Sequence, residues 1–239
     1  MLYLTLLLVL IACTSGRAQC DQQATLQTEA RKAYLNNDLD DWDKVLATAH
    51  ALPDTPDNQL STARLAFGAA GAAMAHQSDE HLTTYLDLME ASLDEFWKTD
   101  KKHPAAHGLY SAYLGMLIAQ SPMKGMLYGS KANKYAAKGV NFGPTSQEAQ
   151  YCLGSYLFYT PTTWGGDPQK AVEHLKAAAA TAPADQASCD WFHLQTLALL
   201  GQAQAKTGDT QAARMTYLQA LKLEPEFAYV KNVLLPGLD

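Results

Sequence analysis

Residues 199–225 read LLGQAQAKTGDTQAARMTYLQALKLEP, two apolar-periodic runs separated by Thr207, Gly208 and Asp209 and closed by Pro225. A Gly-Asp pair between helical patterns marks a turn and a cap, and the proline after the second run marks its end. In the second run Tyr217, Ala220 and Pro225 stand 4, 7 and 12 residues after Ala213. The same intervals recur in Ala171, Leu175, Ala178 and Pro183, and again in Ala132, Ala136, Gly139 and Pro144. Positions 4 and 7 apart share one helical face, and small side chains there let two helix backbones approach closely. Three copies in one register make an internal repeat.

The preceding helices agree. Leu114-Gly115 precedes Ala132 and Leu153-Gly154 precedes Ala171, with alanine 17 residues after glycine in both copies, against 12 between Gly201 and Ala213. Five residues have thus been inserted twice at one place. LGMLIAQSP (114–122) and LGSYLFYTP (153–161) share both of their ends, so the segment SYLFYTPTTWGGDP (155–168) is half of an internal duplication. A phosphate loop is a poor reading of it. Asp167 puts negative charge where the anion would sit and Pro168 removes an N–H donor, whereas Asp167 as cap and Pro168 as first helical residue is an ordinary helix start. Trp164 is expected to fold back onto the adjoining hairpin. Upstream, Trp42, Leu46 and Ala49 keep the 4 and 7 intervals after a helix around 24–34, and residues 58–76 and 79–99 form a blurred pair carrying Thr84, Leu88 and Ala91. No stretch alternates long enough for a sheet, so the chain reads as all-α.

Leu200, Gly201, Gly208, Asp209, Ala213, Tyr217, Ala220 and Pro225 together resemble a tetratricopeptide repeat (TPR). The resemblance implies that Gly201 is the small residue where two helices cross and that Gly208 and Asp209 make the turn and cap. It further implies a right-handed α-solenoid of about five TPR-like helical hairpins with a C-terminal capping helix over roughly 226–235. The degenerate hairpins occupy 21–100, and the three clearer repeats with the cap occupy 101–239. The stretch Thr160 to Ala171 is similar to an insertion of the form tP-x-x-[FW]-GGd-x-x-kA in exported bacterial TPR proteins. By resemblance the expected role is a non-catalytic scaffold or adaptor of the bacterial cell envelope that binds a protein or peptide on its concave face. The alternative is a small-ligand-binding or transport accessory protein of the periplasm, similar in role to the TPR components associated with TRAP transporters.

In this register the inner face of the first helices presents Leu109, Ala112, Met116 and Ala119, then Glu148, Tyr151, Ser155 and Phe158, then Gln195, Ala198, Gln202 and Ala205. The candidate partner-binding residues are Glu148, Tyr151, Ser155, Phe158, Tyr159, Trp164, Gln195 and Gln202, because aromatic and polar side chains on a rigid wall make binding hot spots. Tyr151 and Phe158 equally fit packing between repeats. An enclosed aromatic cavity among Tyr110, Tyr113, Tyr151, Tyr156, Tyr159 and Trp164 would favour a small ligand, and an open groove a peptide. His103 and His107 stand at a metal-ligand spacing, yet no Glu completes a zinc-protease motif, and Pro104 makes His103 a capping residue. No G-x-S-x-G, phosphate loop or dinucleotide fingerprint occurs, and Asp40-Asp41 and Asp79-Glu80 sit at helix starts, where the dipole favours them. No catalytic residue, metal or cofactor is expected.

The net charge of −6 gives no footprint for nucleic acid, with lysines read as scattered among carboxylates rather than gathered in a stripe. The apolar run from Leu2 to Ala12 has the length of a signal-peptide core and is too short to span a bilayer. Gly16 and Ala18 suit a cleavage that releases Gln19, giving a signal peptide over 1–18, while Leu10 to Cys13 resembles a lipobox with Cys13 lipidated. Both readings predict export, to the periplasm or beyond, and only lipidation at Cys13 implies a membrane anchor. Cys20, Cys152 and Cys189 are too irregularly spaced for a disulfide framework. Cys152 and Cys189 read as buried, inert thiols.

Overall fold

The structure, a computed structural model, describes residues 25–181 and 190–238. The leader, Cys13, Cys20, Pro183 and Cys189 lie outside the described residues. Five helical hairpins follow one another: α1 (25–36) with α2 (Leu39–His50), α3 (Pro56–Ala75) with α4 (Asp79–Phe96), α5 (Pro104–Gln120) with α6 (Gly125–Phe142), α7 (Gln147–Tyr159) with α8 (Pro168–Ala180), and α9 (Trp191–Lys206) with α10 (Thr210–Leu223). No strand occurs among the described residues. The fold is an α-solenoid, as the repeat register requires.

The helix starts are written in the sequence. Asp38, Thr55, Ser146, Asp167, Asp190 and Asp209 each accept a backbone N–H from the first turn they cap, and Pro56, Pro104 and Pro168 take first-turn positions that need no donor. The short turns share one device, a left-handed residue immediately before the cap: Asn37 (φ 50°), Gln77 (φ 54°) and Gly208 (φ 85°). Only the glycine announces itself. In the third and fourth hairpins this turn is replaced by the two insertions, which fold as matching 3₁₀ turns, Pro122–Lys124 and Thr162–Trp164.

Small residues set the helix crossings. A Cβ on Gly201 would fall 2.1 Å from the Tyr217 ring, and one on Gly154 would fall 2.7 Å from Leu175. The third hairpin departs from the expected register, for Gly115 has nothing within 4 Å. There the close approach lies one turn earlier, where Ser111 is buried and its hydroxyl donates to the Ala132 carbonyl at 2.8 Å. The C-terminal segment also differs from a regular helix. Beyond Phe227 the chain widens into a π turn, Val230–Leu234, with the Leu235 N–H donating to the Val230 carbonyl at 2.9 Å. Phe227 and Val230 nonetheless seal the end of the last hairpin as a cap should.

Inner helices α5 and α7 pack side by side, and side chains of the first hairpin reach the last one. The Arg31 guanidinium on α1 binds the Glu224 carboxylate at 2.6 Å, across 193 residues of sequence. Tyr34 packs on Trp191 (5.7 Å) and Phe227 (5.5 Å), and Trp42 meets Trp191 edge-on at 5.5 Å. Trp42 and Trp191 are both fully buried, with their edges over Gly68 of α3. Their burial contributes several kcal/mol to holding the ends together. The superhelix therefore closes on itself.

Candidate partner-binding surfaces

Closure decides what the inner face can offer. Its middle is filled by aromatic rings: Tyr151 lies 4.8 Å from Phe192 and 6.0 Å from Phe67, and Phe192 lies 5.5 Å from Trp191. Tyr151 is only 2% exposed and its hydroxyl accepts from Gln195 at 2.9 Å. Burial pushes the phenol well above its ordinary pKa, with Tyr159 nearby adding to the effect. The expectation that Tyr151 contacts a partner is corrected. Its ring is core, because Phe67 of α3 and Phe192 of α9 cover the wall on which the repeat register places it. Gln195 is spent on orienting that hydroxyl.

The inner helices run in parallel, so the plug separates two rims. At their N-terminal ends Arg64 of α3 reaches Glu148 of α7 (3.3 Å) and both oxygens of Asp190 (2.8 Å each), with its guanidinium 4.7 Å above the Phe192 ring. Glu148 is thereby engaged within the protein. Beside it a shallow cleft of about 190 Å³ is lined by Asp57, Leu60, Ser61, Arg64, Ala105, Leu109 and Glu148, smaller than the sites that enclose drug-sized ligands. Nothing in the repeat pattern singled out Arg64. A lone arginine within an alanine-rich helix was its only trace.

At the C-terminal ends the surface is open and aromatic. Tyr159 is 67% exposed and Tyr229 is 47% exposed. Burial, and then the nearby hydroxyls of Tyr229 and Tyr159, pushes the Tyr34 phenol far above its usual range. Phe158 packs edge-on against Tyr159 at 4.8 Å, while Lys206 crosses from α9 to cap the Phe158 carbonyl (2.8 Å) and sits 4.5 Å over the Phe158 ring. Ser155 and Gln202 are half-buried, and the Gln202 amide donates to the Ala198 carbonyl at 3.3 Å. Of the eight candidates, Phe158 and Tyr159 stand at this end, and Ser155 and Gln202 lie about one turn below it on α7 and α9.

Trp164 stands elsewhere. A Cβ on Gly125 would meet its ring at 3.2 Å, so the indole of one insertion lies across the start of α6, in the neighbouring hairpin, as the sequence suggested. The Gly-Gly pair behind it has two separate reasons. Gly165 takes φ +95°, and a Cβ on Gly166 would overlap the Thr160 carbonyl oxygen at 1.8 Å. The aromatics proposed for a cavity occupy different settings. Tyr110 and Tyr135 pack at 4.7 Å beneath Lys131, Tyr151 lies in the plug and Trp164 lies on Gly125. His107 is buried with Nε2 on the Lys101 carbonyl (3.0 Å), and burial lowers its pKa. His103 occupies the cap position before Pro104, its ring against Phe96. No group of three His, Cys, Asp or Glu gathers as a metal site among the described residues.

No family model matches the chain, and no curated protein matches it. Among solved structures it is similar to TTC0263, a thermophilic TPR protein of Thermus thermophilus, at 15% identity over 89% of this chain and 98% of that one, with a TM-score of 0.56. It also aligns with YrrB, described as a TPR protein with an unusual peptide-binding site, at 14% identity over 92% of this chain and 97% of that one, with a TM-score of 0.41. With the five hairpins and their repeat register, the likeness to TTC0263 shows that the chain adopts the tetratricopeptide-repeat fold.

Proposed function

We propose that the chain is a non-catalytic scaffold of the bacterial cell envelope that binds a protein or peptide segment at the rim formed by the C-terminal ends of α7 and α9. One observation carries this reading: Tyr159, 67% exposed, and Tyr229, 47% exposed, lie near one another, and Tyr159 stands beside Phe158 and the Lys206 that crosses to it. Exposed tyrosines give large contact area at small entropic cost, and a neighbouring amide and ammonium supply directional bonds to a backbone or a carboxylate. At the opposite rim Arg64 is matched internally to Glu148 and Asp190. The envelope setting rests on the apolar leader.

The test is affinity capture from the native envelope with the processed protein, comparing wild type with a Tyr159→Ala, Tyr229→Ala variant. Both side chains are surface residues, so the variant retains the wild-type melt. Loss of a specific partner with the variant is the expected result, and equal recovery would overturn the assignment of this rim. Mass determination of the processed N-terminus distinguishes a chain beginning at Gln19 from one lipidated at Cys13.

A further inference from the structure

The lysines are not scattered after all. Between residues 101 and 147 the sequence holds six lysines and no carboxylate, in a protein whose net charge is −6. Four of the six lie along α6 and the turn before it. Lys124, Leu127, Lys131, Lys134 and Lys138 follow at intervals of 3, 4, 3 and 4, which puts them on one stripe of the helix. From the neighbouring α4, Glu90 acts on Lys131, which also donates to the Tyr110 hydroxyl at 2.7 Å. At the other side Lys170 pairs with Asp167 at 3.2 Å. Lys124, Lys134 and Lys138 form no ion pair with a carboxylate among the described residues.

At the head of this stripe stands the first insertion. Met123 is 85% exposed, Met126 87% and Leu127 74%, and Trp164, 60% exposed, lies beside them on Gly125. Four large apolar side chains at one tip reach the scale of a few hundred Å² at which exposed apolar surface marks an interaction site. The shape of the patch selects the occupant. A site that receives a helix or strand is a groove with half-buried walls, whereas Met123 and Met126 project almost wholly clear of the protein and Leu127 mostly so. Such a tip suits a fluid apolar medium that closes around it. Flexible apolar side chains, an indole at the boundary and a following row of lysines are the components of a surface that rests in the headgroup region of an anionic bilayer.

We infer that the α6 tip is a peripheral membrane-docking site for anionic phospholipid, with Met123, Met126 and Leu127 entering the acyl boundary and Lys124, Lys134 and Lys138 facing the headgroups. It is separate from the tyrosine rim and from any lipid at Cys13. A lipid-anchored or periplasmic chain would be held with α6 toward the bilayer and the tyrosine rim oriented by that contact.

The test is co-sedimentation of the full chain with vesicles of phosphatidylcholine alone or with added phosphatidylglycerol, at low and high salt. Wild type is expected to partition at least about tenfold more strongly to the anionic vesicles, and to lose that preference as salt screens the headgroups. Met126→Ser with Leu127→Ser, and separately Lys124→Glu with Lys134→Glu, each lower partitioning by about tenfold while melting like wild type, because Met126, Leu127 and Lys134 are exposed and the half-buried Lys124 makes only a long bond, 3.4 Å, to Gln120. Tyr159→Ala with Tyr229→Ala leaves vesicle binding unchanged. Equal binding to both vesicle types, or binding indifferent to both α6 variants, would overturn the inference, since the leader alone would then account for it. So would an α6 charge reversal that leaves vesicle binding intact but abolishes association with an acidic protein or a second copy.

Discussion

Gly68 and Gly71 lie one turn apart on α3 and should respond oppositely to the same substitution. A Cβ at position 68 would sit 2.6 Å from Cη2 of Trp42 and 2.7 Å from Cη2 of Trp191, whereas one at position 71 meets nothing within 4 Å. Each alanine gains the same helix propensity, about 1 kcal/mol relative to glycine. Gly71→Ala should therefore stabilise the protein by up to about 1 kcal/mol. Gly68→Ala gains as much but forces two fully buried indoles apart, and overpacking of that kind costs about 1–3 kcal/mol. Propensity cancels in the difference between the variants, which isolates the junction of the first and last hairpins. For a chain of this size 1 kcal/mol corresponds to about 2–4 °C in Tm, so the two melts should lie about 2–12 °C apart, with Gly68→Ala the lower. Thermal and urea unfolding followed by helical circular dichroism and by tryptophan emission would measure it. Equal stability of the two variants, or Gly68→Ala melting above Gly71→Ala, would refute the claim that Trp42 and Trp191 meet over α3.

Three other outcomes follow from the same contacts. Glu224 lies in a partly desolvated site that by itself would raise its pKa, but the Arg31 hydrogen bond and the Glu226 N–H outweigh this and hold it below the ordinary carboxylate value. Its contribution is accordingly present above about pH 4.5 and fades as pH falls through the folded value. Glu224→Gln should cost about 1–3 kcal/mol at neutral pH and flatten the acid limb of a stability-versus-pH curve. Burial lowers the pKa of His107, His174 and His193, so the unfolded chain binds more protons below its histidine pKa of about 6.5 and Tm should fall between about pH 7.5 and pH 5. His193→Gln should lessen that slope, and a Tm independent of pH over this range would contradict the buried, neutral assignment. Gln77 holds a left-handed conformation on an exposed turn, so Gln77→Gly should raise stability by about 1 kcal/mol in urea unfolding, while Gly208→Ala should lower it by a similar amount.

The repeats were legible because they rest on local rules. Ala132, Ala136, Ala171, Ala178, Ala213 and Ala220 are fully buried, since a helix pair cannot approach without small residues at those places, and that need is periodic in sequence. Trp42 and Trp191 carry no such signal. Their contact spans the whole array, and a repeat pattern describes each hairpin against its neighbour, never the first against the last. The same omission explains Tyr151, whose place on the inner wall followed from the register while its burial depended on a distant hairpin. Gln77 and Asn37 were hidden because the turn tolerates a non-glycine residue in the left-handed region. The carboxylate-free run from 101 to 147 was visible in the sequence, but charge averaged over the chain concealed it.

A solenoid with free ends adds its stability nearly repeat by repeat, so repeats can be lost from either end at proportionate cost. The Arg31 to Glu224 contact and the Trp42 to Trp191 pair remove that freedom. Duplicating or deleting a hairpin would change the rotation accumulated along the array and carry the two ends past each other, so the closing contacts require the three hairpins that stand between the first and the last. It also makes folding a search with a late step. The neighbouring pairs can form from local contacts, but the closing contact must bridge 193 residues and orders the ends last. The two matching insertions, by contrast, each lengthen a turn of the rim without altering how many hairpins close the ring.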